Sequence, residues 1–147
     1  MVPVMPRPSR VTTALKALLA RGERHAWTLE ELRNDLARDG LAADFSSVFR
    51  SVVGLVGAGV LRRVALPDGS NRFELDEAHH DHLQCTGCDA LLPIPCVVGP
   101  DALDRLQALT GFAIAGHSVT LTGLCRACQP AGARDAGAGD AGAGKAA

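Results

Sequence analysis

Aromatic side chains are nearly missing from this sequence, which has four phenylalanines, one tryptophan and no tyrosine among 147 residues. With so few aromatic groups a small domain buries little apolar area, so we expect a structural metal or a subunit partner to supplement the core. The sequence also lacks a charged-then-apolar leader and any apolar run long enough to span a bilayer. We therefore expect a globular cytoplasmic protein without membrane contact.

Net charge is also small, at −1, but it is unevenly distributed. Residues 1–73 carry 11 Lys and Arg against 7 Asp and Glu, whereas residues 74–147 carry 4 against 9. All five cysteines and four of the five histidines lie in the acidic half. This asymmetry suggests polyanion contact on one side and cation binding on the other, although ordinary surface scatter explains the charges equally well.

Cysteine, by contrast, occurs in a specific pattern of two CxxC pairs, Cys85/Cys88 and Cys125/Cys128. Each pair presents two sulfurs, and two pairs complete a tetrahedral zinc shell with no open position. Thiols stay reduced in the cytoplasm, which favours metal over a disulfide or a thiol-redox pair. The spacing therefore predicts a structural zinc site that clamps a whole subdomain.

One cysteine and a histidine-rich run stand outside these pairs. Cys96 is expected to be a small buried hydrophobic residue. In the run His79-His80-Asp81-His82, alternate side chains of an extended strand face opposite ways, so His80 and His82 share one side. One short run can then serve two metal sites; a solvated polar edge is the alternative.

Helical periodicity and turn signals divide the rest of the chain. Three short helices are predicted, beginning after Ser9, after the capping box of Thr28 and Glu31, and after a cap at Ser46. A hairpin of residues 60–66 and 71–75 follows, with positive-φ turn positions at Asp68-Gly69. Three helices and a hairpin is the order of a winged helix-turn-helix.

In the second half of the chain, the pattern predicts short strands around the candidate metal ligands and one helix between residues 101 and 110. Strands are expected at residues 112–114 and 118–121, and the Ala/Gly-rich residues 130–147 are predicted to be a disordered tail. The predicted fold class is α+β, with a winged-helix domain over residues 1–75 and a small α/β domain over residues 76–129.

The motifs together resemble the ferric uptake regulator family of metal-sensing repressors. The resemblance runs from about Ser9 to Cys128 and includes His-His-Asp-His-Leu-x-Cys-x-x-Cys, Gly-Phe-x-Ile-x-x-His and Gly-x-Cys-x-x-Cys. It implies that the first domain binds DNA, that the second binds metal, and that the four paired cysteines hold structural zinc. The strands after Gly111 are the expected dimer surface because neither half alone offers much core.

The resemblance also implies a regulatory metal site at the hinge between the domains. Its expected ligands are Glu74, His80 and His82, with His25 as the fourth. The family's histidine before the second helix is replaced here by Ala26, and His25 stands one residue earlier. Ligation from both sides of the boundary is expected to lock the angle between the domains.

A further family site is implied for His79, Asp81 and His117 with one acidic residue on the helix. At the usual distance before His117 stands Pro100, so Asp104 is the expected fourth ligand.

The start of the third helix resembles the family's recognition segment, with Phe49 where a tyrosine usually stands. A winged fold lays this helix in the major groove, and arginines elsewhere contact phosphates. The expected DNA-contacting residues are Ser46, Ser47, Phe49 and Arg50, with Arg10, Arg62, Arg63 and Arg72 on phosphates.

The resemblance thus predicts a metal-dependent transcriptional repressor that binds double-stranded operator DNA as a homodimer and controls metal-uptake or metal-homeostasis genes. Zinc is the expected structural metal and zinc or iron the regulatory one; catalysis and a small-molecule substrate are not expected. One alternative is a peroxide-sensing iron repressor that uses Asp104 beside His79 and His117. Another is a zinc-binding interaction module without DNA contact. A zinc hydrolase or deaminase is disfavoured because the cysteine pairs close the shell and no HxE motif supplies a base.

Overall fold

The computed structural model describes residues 8–132, which form two compact units: one ends at His80 and the other begins at Asp81. The boundary predicted from the sequence lies at residues 75/76. The predicted tail from residue 133 onward lies outside the described residues. Helices and small sheets occur in both units, which confirms the predicted α+β class.

Three helices begin the first unit, α1 (Arg10–Ala20), α2 (Leu29–Arg38) and α3 (Phe45–Gly57). Ser9 caps α1 by accepting a hydrogen bond from the Thr12 amide, as predicted. The capping box of Thr28 and Glu31 is also confirmed, since the side chain of each accepts from the backbone amide of the other.

The predicted cap of α3 is wrong by two residues. Asp44, not Ser46, is the N-cap, and its Oδ1 accepts from the Ser47 amide at 2.8 Å. A carboxylate at this position satisfies an orphan amide and also interacts favourably with the positive end of the helix dipole. Ser46 is therefore a residue of the first helical turn.

A three-stranded antiparallel sheet completes the first unit. Its strands are β1 (Ala26–Trp27), β2 (Leu61–Ala65) and β3 (Asn71–Leu75), in the order β1-β3-β2. The turn between β2 and β3 has a positive φ of 84° at Gly69, whereas Asp68 contributes its side chain, which accepts from the Ser70 amide. The predicted hairpin is thus confirmed, with one positive-φ position in place of two.

The helices and the sheet of this unit enclose one apolar core. Trp27, the one tryptophan of the chain, belongs to this core, and its side chain is 2% exposed. Its other members are Leu15, Leu18, Leu19, Leu32, Leu36, Val48, Val52, Leu55, Leu61 and Phe73.

The second unit contains the strands β4 (Asp81–Cys85), β5 (Leu91–Ile94) and β6 (Thr120–Gly123), with β4 central. β5 pairs with it antiparallel and β6 parallel. One helix, α4 (Pro100–Thr110), ends at Gly111, whose φ is 73°. The strand predicted at residues 112–114 is wrong, since these residues are irregular.

This unit has almost no apolar core of its own. Its buried residues, within the described part of the chain, are Asp81, His82, Gln84 and Cys85. Large apolar side chains lie outside instead, with Leu109 83% and Phe112 74% exposed. Buried polar side chains in place of an apolar core indicate that something other than apolar burial holds the unit together. Neither unit contains, among the residues described, a helix long and apolar enough to cross a membrane.

Candidate metal centres

Four sulfurs meet at one end of the second unit's sheet. Cys85, Cys88, Cys125 and Cys128 each offer a sulfur within 4.8 Å of the others. The Sγ atoms of Cys88 and Cys125 lie 3.9 Å apart. Tetrahedral zinc with Zn–S bonds of about 2.3 Å separates its sulfurs by about 3.8 Å, so this spacing fits zinc.

Parallel strand pairing brings the two cysteine pairs together across the sequence. Cys85 ends β4 opposite Gly123 of β6, and the Thr86 amide donates to the Gly123 carbonyl at 2.8 Å. The second pair, Cys125 and Cys128, follows directly after β6. The sheet therefore builds the sulfur cluster, and a metal bound there would in turn hold β4 to β6.

The acidity of the sulfurs is strongly uneven. The amide of Cys125 donates to the Cys85 sulfur at 3.2 Å, and this bond, together with one from the Cys88 amide, lowers the pKa of Cys85 to about 6. Crowding by the sulfurs of Cys125, Cys85 and Cys88 raises the pKa of Cys128 to about 12. Four thiols this close cannot all lose their protons unless a cation offsets the charge, which is the role that the donor set suits.

Gly87 occupies the space inside the first cysteine pair. A Cβ added there would lie 2.8 Å from the Cβ of Cys128 and 3.0 Å from its sulfur. Real Cβ atoms essentially never approach so closely, so any other residue must displace Cys128.

Gly87→Ala is therefore expected to lower stability by about 1–3 kcal/mol and to speed zinc release to a chromogenic chelator. Gly123→Ala is the matched control because an added Cβ there meets nothing within 4 Å. Equal zinc-release rates in the two variants would contradict the assignment of these sulfurs as zinc ligands.

A second cluster lies in the first unit around a buried carboxylate. Glu74 is fully buried on β3. Its Oε2 lies 2.7 Å from Nε2 of His25 and 3.3 Å from Nε2 of His80, and the two imidazole nitrogens are 3.0 Å apart. Ala26 pairs with Glu74 across the strands, so His25, immediately before β1, reaches the carboxylate despite standing one residue early.

Arg62 also belongs to this cluster, although a phosphate contact is predicted for it from the sequence. It lies opposite Glu74 in the β2–β3 register and donates from Nε to Glu74 Oε1 at 2.5 Å. Its Nη2 lies 3.0 Å from Nδ1 of His80. The guanidinium therefore neutralises a carboxylate that would otherwise be buried with its charge uncompensated.

A third cluster lies in the second unit. Asp81, Cys96 and His117 offer ligand atoms within 4.8 Å of one another. Sγ of Cys96 is 3.1 Å from Nε2 of His117, which is 3.8 Å from Oδ1 of Asp81. Asp104, the expected ligand, is exposed on α4 and is not among the described residues that gather here. Cys96 is itself exposed, so its predicted burial as a hydrophobic residue is wrong.

The two remaining histidines of the run fall on either side of the division between the units. His79 is exposed and belongs to the first unit. His82 lies on β4 of the second unit and is 3% exposed.

The expected DNA-contacting residues lie mainly on the surface of the first unit. Phe49 is 47% exposed on α3, and Arg10, Ser46, Arg50 and Arg63 are exposed. Ser47 and Arg50 line a shallow cavity together with residues of the first turn of α1. Ser47 also accepts a bond from Arg50 Nη2 at 3.4 Å.

Comparison with known proteins gives a consistent result. The family model of the ferric uptake regulator family matches residues 8–122. The ferric uptake regulation protein of Bordetella parapertussis is 30% identical over 104 residues, which cover 68% of this chain and 73% of that protein. Its Neisseria gonorrhoeae counterpart is 26% identical over 129 residues, covering 85% and 90%.

Similarity also extends to a solved structure. The Vibrio cholerae ferric uptake regulator, described as having DNA-binding domains that rearrange, superimposes with a TM-score of 0.72 at 25% identity. The match covers 81% of this chain and 92% of that one.

Proposed function

The chain belongs to the ferric uptake regulator family, and we propose that it is a metal-dependent transcriptional repressor that binds operator DNA as a homodimer. Zinc is the proposed structural metal, and zinc or iron the regulatory metal. The proposed target genes serve metal uptake or metal homeostasis. The family's members are regulators and not enzymes, in agreement with the closed shell that the four sulfurs provide.

The observation that carries the proposal is the gathering of His25 and His80 on the buried carboxylate of Glu74. Glu74 lies on β3, a strand of the wing hairpin, and His25 precedes α2 by a few residues. Bound to these groups, a divalent cation would tie the wing to the segment that leads into the helices. Metal occupancy would then act on the elements that are proposed to hold DNA.

His82 is the proposed fourth regulatory ligand, on the strength of the family resemblance. It stands two residues beyond His80 in the sequence. Four donors of nitrogen and oxygen accept zinc, iron, manganese or nickel, so donor type alone does not select the metal.

DNA contact is proposed for the start of α3. The exposed Phe49 ring and the Arg50 guanidinium provide a stacking or methyl contact and a charged donor for base edges or phosphates. The relative from Vibrio cholerae is described as having DNA-binding domains. Arg10 and Arg63, both exposed, are proposed phosphate contacts.

Dimerisation is supported by the unburied apolar groups of the second unit. α4 buries no side chain among the described residues, and Leu92, Leu106, Leu109, Phe112 and Leu121 are all exposed by 45% or more. An amphipathic helix with no covered face requires a partner, and a second copy of the chain presents the same surface.

Mobility shift on DNA from upstream of the chain's own gene tests the proposal. Zinc, iron(II) and manganese(II) are each added to protein that retains its structural zinc. Binding that appears with at least one metal and disappears with chelator is expected. Binding that ignores every metal would contradict metal control, and no binding in any condition would favour the interaction-module alternative.

The peroxide-sensing alternative depended on Asp104 beside His117. Cys96 takes that place in the structure, so no observation favours an all-oxygen-and-nitrogen iron site there.

Arg62→Gln tests the proposed role of the Glu74 cluster. Without the guanidinium, the buried carboxylate loses its cation, so the protein without regulatory metal is expected to lose about 1–3 kcal/mol of stability. A divalent ion no longer competes with Arg62, so the rise in Tm on zinc addition is expected to be larger than in wild type. Thermal melts with and without zinc measure both effects.

Arg63→Gln is the matched control because Arg63 is the next residue of β2 and is exposed. If Arg62→Gln behaved like Arg63→Gln in both melts, the arginine would have no part in the metal site.

A further inference from the structure

A largely apolar cavity lies in the first unit between α3, the start of α2 and the β2–β3 hairpin. Its volume is about 610 Å³. Pockets that bind small molecules typically measure about 300–1,000 Å³ and are lined mainly by apolar groups with a few polar ones. The apolar part of the wall consists of Leu29, Phe49, Val53, Val56 and Phe73. Both the size and the lining of this cavity therefore suit a small ligand with an apolar body.

The apolar wall continues into an exposed face of α3. Phe45, Phe49 and Val53 follow one another at intervals of four residues, so their side chains lie on one face of the helix. Each is between 47% and 52% exposed, and no other large apolar side chain within residues 8–80 is as exposed. The proposed DNA contact uses Phe49 but gives no role to Val53, which lines the cavity one turn later. A ligand in the cavity would remove both side chains from water.

The polar part of the cavity carries a positive charge. Arg63 and Asn71 lie on the same face of the hairpin, because Arg63 pairs with Phe73, two residues from Asn71. Neither of the two polar side chains has a hydrogen-bond or ion-pair partner among the described residues. The carboxylate at the cavity, that of Glu30, is already paired with Arg33 at 2.6 Å. An anionic headgroup is therefore the complement of this part of the wall.

We propose that the cavity binds an aliphatic carboxylate of medium chain length, with its tail against Phe49 and Val53. The headgroup is bound by Arg63 and Asn71, since a guanidinium donates two parallel hydrogen bonds to a carboxylate and an amide supplies a further donor. Phe49 and Arg63 are also proposed DNA contacts, so the carboxylate and operator DNA compete for the same side chains. The competition rests on the proposed function, whereas binding of the carboxylate does not.

Titration of the isotope-labelled full chain with decanoate, with structural zinc in place, tests the site by NMR. Saturable shifts are expected for the amides of α3 and of the β2–β3 hairpin at decanoate concentrations below micelle formation. Affinity is expected to rise by up to about fourfold for each methylene added from hexanoate to decanoate, because each methylene buries further apolar area. Decyltrimethylammonium has the same tail and the opposite charge, and it is expected to bind about tenfold more weakly.

Val53→Glu is expected to abolish decanoate binding because it places a carboxylate in the apolar wall. Phe45→Glu is the matched control: Phe45 is equally exposed on the same face of α3 but does not line the cavity, so binding is expected to persist. Arg63→Gln is expected to weaken binding about fivefold, since water partly screens an ion pair at an open site.

Three results would overturn the proposed site: shifts that do not saturate, equal affinity for the cationic amphiphile, or wild-type binding by Val53→Glu. Shifts of the same amides when the ligand-free protein is diluted would assign the cavity to a second copy of the chain instead.

The competition is tested by anisotropy with labelled operator DNA and the regulatory metal present. Decanoate at ten times its dissociation constant is expected to raise the apparent dissociation constant of the operator about tenfold, whereas acetate at the same concentration is expected to leave it unchanged. An unchanged operator affinity with decanoate bound would overturn the competition. If no operator bound in any condition, the proposed function would fail, and the NMR titration would still decide whether the cavity binds the carboxylate.

Discussion

Cys88→Ser is expected to unfold the second unit of the full chain while the first unit keeps its helices. The second unit buries polar side chains and Cys85 where a domain would normally bury apolar side chains, so we expect it to depend on the sulfur cluster. Structural zinc contributes about 10–16 kcal/mol in small zinc-dependent domains at pH 7, as much as or more than the whole stability of a typical domain. Zinc content and amide resonance dispersion by NMR measure the two units separately.

Cys96→Ser is the matched control for this loss. It removes a thiol from the same unit but not from the four-cysteine cluster, so the unit is expected to stay folded with its structural zinc. A Cys88→Ser protein whose second unit melts cooperatively and retains zinc would show that the cluster is not the scaffold.

Glu74→Gln is expected to remove the metal dependence of DNA binding. The amide keeps the shape of the side chain but loses the negative charge that would attract a divalent cation to this site beside His25 and His80. Coupling between a metal site and a DNA site is typically worth about 1–3 kcal/mol, so affinity with metal is expected to fall by roughly 5- to 150-fold toward the metal-free value. Fluorescence anisotropy with labelled operator DNA measures this change.

Glu77→Gln controls for the lost negative charge, because Glu77 is exposed three residues further along the chain. This variant is expected to respond to metal as wild type does. A Glu74→Gln protein that still gained affinity with metal to the wild-type extent would place the regulatory ligands elsewhere.

Local signals in the sequence were sufficient to predict most of the helices and strands of the first unit. Ser9 and the capping box of Thr28 determine where two helices begin, and the turn residues Asp68 and Gly69 locate the hairpin between β2 and β3. The predicted N-cap of α3 was wrong because Asp44 and Ser46 are both good N-cap residues within one turn of each other. Such a choice depends on how the helix packs, which local sequence does not contain.

The pairing of Arg62 could not have been predicted from the turn. A hairpin centred on Asp68-Gly69 would place Arg63 opposite Glu74, whereas the observed register is shifted by one residue and places Arg62 there. A one-residue shift exchanges which arginine faces the carboxylate, and the turn residues alone do not determine it.

Cys96 could not have been found by local pattern. It stands beyond β5, and its neighbour His117 follows α4, so their contact depends on how both segments pack against β4. The prediction that Asp104 lies beside His117 was wrong for the same reason. Its place on α4 was predicted, but the direction in which that helix points its side chain depends on tertiary structure. The four-cysteine cluster succeeded because CxxC spacing confines each pair of sulfurs whatever the fold.

The most direct test of metal control compares the operator affinity of the wild-type chain in chelator with its affinity in saturating zinc or iron(II), by anisotropy at fixed ionic strength. Structural zinc is retained in both conditions. The proposed function predicts that metal tightens DNA binding by roughly 5- to 150-fold, and that DNA tightens regulatory metal binding by the same factor, since coupling is reciprocal. Equal operator affinity with and without the metals would contradict it.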